Sequence, residues 1–156
     1  MAATPPTLPY DRRALLDAAA RFPLFQLIGL EILDIQPGWS QARVTWRPDL
    51  TQPAGLMHGG IIATLVDTGI AYAFFLQDEV RRHTDAGGTV VSVDLRIKYF
   101  RPVSEGSIIC ESRVVRPGRQ IMHAEAIVTN ADGTEVARGD AIYMAIGREQ
   151  LQRRAR

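Results

Sequence analysis

The sequence is poor in most of the residues that carry chemistry. Of its 156 positions one is cysteine (Cys110), one is lysine (Lys98) and three are histidine. A lone cysteine excludes an internal disulfide and a thiolate metal cluster. An excess of one charge is missing too. Eighteen basic residues against seventeen acidic leave a formal +1, whereas a chain that grips nucleic acid by phosphate neutralisation is more lopsided. There is no membrane-length apolar span. The longest apolar run, residues 61–76, is short for one and holds Asp67 near its middle, where a carboxylate in lipid would be costly. The first nine residues lack the basic and apolar regions of a signal peptide. With 46% apolar and 22% charged residues, disorder and coiled coil are disfavoured. The expectation is a soluble, cytoplasmic chain with no nucleic-acid or membrane partner, no metal and no cofactor.

What is present is a clear order of elements. Residues 1–9 carry three prolines and no periodicity, which predicts a flexible arm. Residues 10–147 form the single domain, and 148–156 a basic tail. Asp11–Arg21 is rich in helix formers and ends at Phe22-Pro23. Residues 29–35 and 40–47 predict a hairpin about Pro37-Gly38, and residues 49–57 a loop. The run 61–76 has few polar residues on any face, so as a helix it is buried nearly all round. Strands are predicted over 89–100, 107–115, 120–130 and 135–146. In the first of these Val91, Val93, Leu95, Ile97 and Tyr99 alternate with Ser92, Asp94, Arg96 and Lys98. Asp132-Gly133 marks a hairpin between the last two. A helix, two strands, one buried helix and four strands define an α+β class in which a mostly antiparallel sheet curls about one helix.

Two features on that helix bear on chemistry. Gly59-Gly60 stands at its start, where backbone N–H groups lack helical partners and the dipole is positive. Glycine also keeps side chains away from those donors. This suits a carbonyl oxygen that becomes negative during reaction, as in an oxyanion hole. The same pair would also serve a tight loop-to-helix turn. Asp67, inside the apolar run, must be paired, hydrogen-bonded or neutralised. Either it is functional, or it is a structural carboxylate satisfied by Thr64, Thr68 or nearby backbone. Eight residues along a straight helix separate Gly59 from Asp67 by about 12 Å. If both act on one bond, they must come from different subunits, which predicts an obligate dimer with two sites across a two-fold interface.

The stretch Gly55-Leu56-Met57-His58-Gly59-Gly60, with Asp67 in the following helix, resembles the hotdog-fold acyl-CoA thioesterases, nearest the phenylacetic-acid-degradation type. Ser92-Val93-Asp94-Leu95 and Tyr99-Phe100-Arg101-Pro102 extend that likeness, which runs over residues 25–147. The resemblance implies a hotdog fold and hydrolysis of acyl-CoA to free acid and CoA, in a homodimer paired into a dimer of dimers. It implies that the Gly59 N–H holds the thioester carbonyl, with His58 shaping the turn. Asp67 of the partner subunit would be the nucleophile or the general base for water. Gln52 would hold the water or thioester, and Ser92 would assist the water. Ser92 departs from this pattern by falling on the polar side of its strand, beside Asp94 and Arg96. Where some relatives place a threonine or serine one turn after the acid, this chain has Ala71. Gly60 and Thr68 would adjoin substrate, and Arg101, Arg116 and Arg119 would meet the CoA phosphates, unless they are a solvated rim.

Other residues are expected to be structural or exposed: His83 in a charged loop, His123 in a strand and Cys110 in an apolar core. Phe25, Tyr72, Phe74 and Phe75 would line an acyl pocket or simply fill the core. Two competing readings remain. One is a hotdog protein that binds acyl-CoA without turnover. The other is a small homodimeric aspartic protease, because Asp67-Thr68-Gly69 matches the signature in which two carboxylates share a proton.

Overall fold

The computed structural model describes residues 11–150. The predicted arm, residues 1–9, and positions 151–156 of the predicted tail lie outside them. Helix α1 (Arg12–Ala19) is capped by Asp11, whose carboxylate accepts from the Ala14 N–H, and buries Leu15 and Ala19. A second helix, α2 (Pro23–Ile28), follows directly. Pro23 does end the first helix, but it also starts the next, because proline's missing N–H and fixed φ suit a first helical position. Strands β1 (Leu30–Gln36) and β2 (Trp39–Thr45) form the predicted hairpin.

The long helix α3 (Gly59–Phe75) comes next, then α4 (Asp78–Asp85), then β3 (Thr89–Tyr99), β4 (Ser107–Arg116), β5 (Ile121–Asn130) and β6 (Glu135–Ile146). Helix α4 occupies what the sequence presents as a charged loop. Acidic Asp78 and Glu79 in its first turn and basic Arg82 and His83 in its last complement the helix dipole. Its buried stripe is only Val80 and Thr84, too little for periodicity to disclose.

The six strands form one antiparallel sheet in the order β1-β2-β4-β5-β6-β3. This curved sheet around a central helix is the expected hotdog architecture. Helix α3 lies across the sheet's concave face, with Leu65, Val66, Ile70, Ala73 and Phe74 fully buried. Burying each larger side chain of that set is worth about 1.5–3 kcal/mol. Close approach of helix to sheet depends on Gly139 in β6, where a Cβ would stand 2.6 Å from Val66 Cγ1. The buried Ser40 hydroxyl donates to the Gly69 carbonyl at 2.6 Å, so a polar group beneath the helix is satisfied rather than stranded. β3 is a sheet edge, and Val93, Tyr99 and Phe100 at that edge are half exposed.

Candidate active site

The loop before α3 builds the first half of the site. His58 caps the helix: its Nδ1 accepts from the Gly60 N–H at 2.9 Å, which fixes the ring proton on Nε2. The His58 carbonyl takes the Ile61 N–H at 2.9 Å. Among the described residues the Gly59 N–H finds no acceptor. It is thus an unpaired donor at the positive end of a seventeen-residue helix. The Tyr99 hydroxyl donates to the Gly59 carbonyl at 3.0 Å. Its ring lies where a Cβ on Gly59 would come within 3.3 Å of Cζ, so only glycine fits here without displacing the ring. Burial raises the Tyr99 phenol above its usual pKa, which keeps it a donor. Gln52 and Arg101 share a cavity of about 360 Å³ with Gly59 and Tyr99. Gln52 Oε1 accepts from the Ala54 N–H at 2.7 Å, and Arg101 Nη1 donates to the Glu135 carbonyl at 2.6 Å.

Asp67 lies two turns further along, in a different cavity of about 270 Å³ lined by Phe22, Phe25, Thr68, Tyr72, Phe75 and Tyr143, among others. The two cavities share no lining residue. Neither threonine considered from the sequence satisfies the carboxylate, since Thr64 donates to the Gly60 carbonyl instead. Its partner is Tyr143 on β6, whose hydroxyl lies 2.6 Å from Asp67 Oδ1 and 2.9 Å from the Asp67 carbonyl. No hydrogen bond from the described residues reaches Oδ2. Burial, then the hydrogen bond to Asp67 and its charge, push the Tyr143 phenol far above its usual pKa, while the Ser92 hydroxyl opposes the shift. Tyr143 escaped the sequence reading. The alternation of residues 135–146 puts it on the concave face, but nothing in the sequence tells which residue of α3 it meets. Phe74 is fully buried against Tyr143, with ring centroids 5.4 Å apart, and is core rather than pocket lining.

Ser92 corrects the alternation argument. β3 is bulged between Ser92 and Asp94, so Val93 has no cross-strand partner and the side-chain period resets there. Ser92 pairs directly with Tyr143, and therefore points to the concave face rather than to the Asp94 and Arg96 side. Arg96 meanwhile bridges Asp94 and Asp140 on the convex face.

The remaining candidates sit elsewhere. Gly60, exposed, is tied to His58. Arg116 and Arg119 are exposed at the far end of β4 and the turn after it, apart from the Gly59 cavity. His83 belongs to α4 and its Nε2 lies 2.8 Å from the Arg119 carbonyl. His123 faces Asp140 at 3.7 Å. Cys110 is fully buried, and burial pushes its thiol up to about 12. Among the described residues no group of His, Cys, Asp or Glu is placed to hold a metal, and no single helix is long and apolar enough to cross a membrane. The Asp67-Thr68-Gly69 motif lies inside α3, not on the strand-borne loop that an aspartic protease needs to pair two carboxylates.

Comparisons with known proteins bear on the family and the fold. A model of the thioesterase superfamily matches residues 54–137, more than half the chain. The chain is 30% identical over 120 residues to the proofreading thioesterase EntH of Klebsiella pneumoniae, covering 77% of this chain and 83% of that one. It is 25% identical over 134 residues to the medium/long-chain acyl-CoA thioesterase YigI of Salmonella typhimurium, covering 78% and 84%. An esterase-named relative from Saccharolobus solfataricus is 28% identical over 99 residues, a match that spans 64% of this chain and 61% of that one. Among solved structures, the E. coli PaaI protein of the phenylacetic acid degradation operon superposes with a TM-score of 0.72. That match covers 84% of this chain and 89% of that one at 20% identity, which speaks for the fold alone.

Proposed function

The chain belongs to the thioesterase superfamily, and on that premise we propose that it hydrolyses acyl-CoA thioesters to free acid and CoA, in a homodimer whose sites each join Gly59 of one protomer to Asp67 of the other. Relatives named as thioesterases and esterases support hydrolase activity in general. The observation that carries the finer reading is the division of one helix: an unpaired amide donor and a free carboxylate oxygen open into separate cavities. No side chain spans the about 12 Å between them, so one bond can meet both only across two chains. The half-exposed apolar residues on the β3 edge offer a surface that a second copy would cover.

The chemistry follows from the parts. The thioester carbonyl oxygen accepts the Gly59 N–H, which stabilises the negative charge that gathers there. Asp67 Oδ2 either adds to the carbonyl carbon itself or takes a proton from a water whose oxygen adds. Collapse of the tetrahedral species breaks the C–S bond, and CoA leaves as thiolate and is protonated. Where water attacked, the acid leaves directly; where Oδ2 attacked, a water then hydrolyses the Asp67 anhydride to release the acid and restore the carboxylate. Gln52, beside Gly59, and Ser92, beside Tyr143, are the groups proposed to orient water. Arg101, on the rim of the Gly59 cavity, is the first candidate for a CoA phosphate contact, with Arg116 and Arg119 as the other cations. The apolar lining around Asp67 would take the acyl chain.

Mixing two inactive variants tests this. Gly59→Val crowds the donor against Tyr99, and Asp67→Asn removes the acid. Dissociated and reassociated at equal concentration, they form heterodimers with one intact site of two, so thiol release from acyl-CoA should return to about one quarter of the native rate. No recovery after confirmed exchange of protomers would overturn the shared site. No thiol release by the native protein from any acyl-CoA in a panel of short, long and aromatic acyl groups would overturn the function.

A further inference from the structure

We propose that Tyr143 is the positioning residue of the acid, clamping Asp67 at two points so that Oδ2 alone faces the cavity. This rests on the reading of Asp67 as the reacting carboxylate. The phenol oxygen lies 2.6 Å from Oδ1 and 2.9 Å from the carbonyl of the same residue. Two contacts to one residue, one on its side chain and one on its backbone, fix the torsions between them. A lone exposed aspartate would sample several. The clamp is itself rigid, because Tyr143 is 4% exposed, packs against the buried Phe74 and belongs to the sheet rather than to the helix it holds. Ser92, directly across β3 from Tyr143, presents its hydroxyl on the same face, and the bulge at Val93 is what turns it there. The phenol has one proton, shared between the two Asp67 oxygens, so its oxygen keeps a lone pair to which the Ser92 hydroxyl can donate.

The direction of the Tyr143 shift agrees with this role. A phenol held protonated by burial and by an adjacent carboxylate is a permanent donor at neutral pH and not a base. Oδ1, stabilised by that donor, is the weaker base and nucleophile of the two carboxylate oxygens. Either version of the chemistry at Asp67 therefore goes through Oδ2.

The test is Tyr143→Phe, which keeps the ring and removes only the hydroxyl, with Ser92→Ala as the milder variant. For Tyr143→Phe we expect kcat to fall roughly ten- to hundredfold with KM within about twofold, since the acid loses its aim but the binding cavities keep their walls. Ser92→Ala should fall in the same sense by less. A crystal structure of Tyr143→Phe should show the Asp67 carboxylate turned from its native torsion, a readout that needs no turnover. Native kcat in Tyr143→Phe, or equal losses in kcat and thermal stability with the carboxylate unmoved, would overturn the proposal. If the native protein and Tyr143→Phe alike release no thiol from any acyl-CoA, the function reading fails instead, and the carboxylate torsion still decides whether Tyr143 positions it.

Discussion

The first turn of α3 and its middle carry the two groups on which the proposed chemistry depends, and they are built on opposite rules. At the first turn the useful group is bare backbone. Gly59 offers an unpaired N–H in an open cavity that Gln52 and Arg101 share with apolar side chains, and the nearest ring, Tyr99, leaves no room for a side chain. In the middle the useful group is a side chain in a cavity lined mainly by aromatic residues, Phe22, Phe25, Tyr72, Phe75 and Tyr143 among them. Yet each half is tied to the sheet in the same way, by one tyrosine hydroxyl, Tyr99 to the Gly59 carbonyl and Tyr143 to Asp67. A donor presented by backbone is protected by keeping atoms out. An acid presented by a side chain is protected by adding a partner. Substitutions should therefore do harm by gaining atoms at one end and by losing them in the middle.

The largest expected effect is in the middle. Asp67→Asn keeps the volume and can still accept from Tyr143, so folding should survive while the charge and the proton acceptor are lost. Turnover measured by thiol release should fall by about 10³, within the range for a positioned acid or base. Near-native turnover would remove the acid from the comparison. Next is Gly59→Ala. The added methyl would meet Tyr99 Cζ at 3.3 Å, a contact that forces a shift of a few tenths of an ångström. We expect kcat/KM to fall roughly tenfold, less than for loss of the donor itself, because the N–H remains. Adding Tyr99→Ala to this variant should restore part of the loss by giving the methyl somewhere to go, at little structural cost because Tyr99 is half exposed. If the double variant is no better than the single one, crowding is not why glycine stands there.

The two halves also differ in how much the sequence disclosed. The Gly-Gly pair at a helix start and the apolar run behind it are local signals, and they located both α3 and its unpaired amide. The positions of the strands along the chain followed from alternation and turn residues in the same way, though not their order in the sheet. What stayed hidden depends on pairing between distant segments. The Tyr143–Asp67 contact joins residues 76 apart, and its existence depends on sheet register, helix depth and the absence of a side chain at Gly139. The bulge at Val93 leaves no mark in a sequence whose alternation looks perfect, yet it alone decides which face Ser92 joins. Helices α2 and α4 were missed for a different reason. Each is short and lacks a side-chain N-cap bond, so tertiary contact, with Pro23 at the start of α2 and dipole-matched charges in α4, makes it helical rather than an apolar stripe.

The smallest effect probes whether the ground beneath the middle of α3 is as dry as the contrast requires. Cys110 lies there, against Gly69 and Ser112, and burial lifts its thiol from the usual 9.0 to about 12, with the Glu111 charge adding and the Ser112 hydroxyl opposing. Tyr72 rises to about 12 for the same reason. At pH 8 the native protein should resist an aromatic disulfide reagent and react with one thiol per chain once unfolded. Both groups are essentially neutral in the folded and unfolded chains well below pH 9, so their contribution to stability is fully present there. Above it the unfolded chain releases these protons while the folded chain keeps them to about 12, so stability must erode between pH 9 and 12. Urea midpoints measured from pH 8 to 11 should fall, and Cys110→Ala should remove part of that fall without altering the rest. Rapid labelling of the native thiol at pH 8 would mean that water reaches the sheet under α3, and the carboxylate above it would then have no need of its tyrosine.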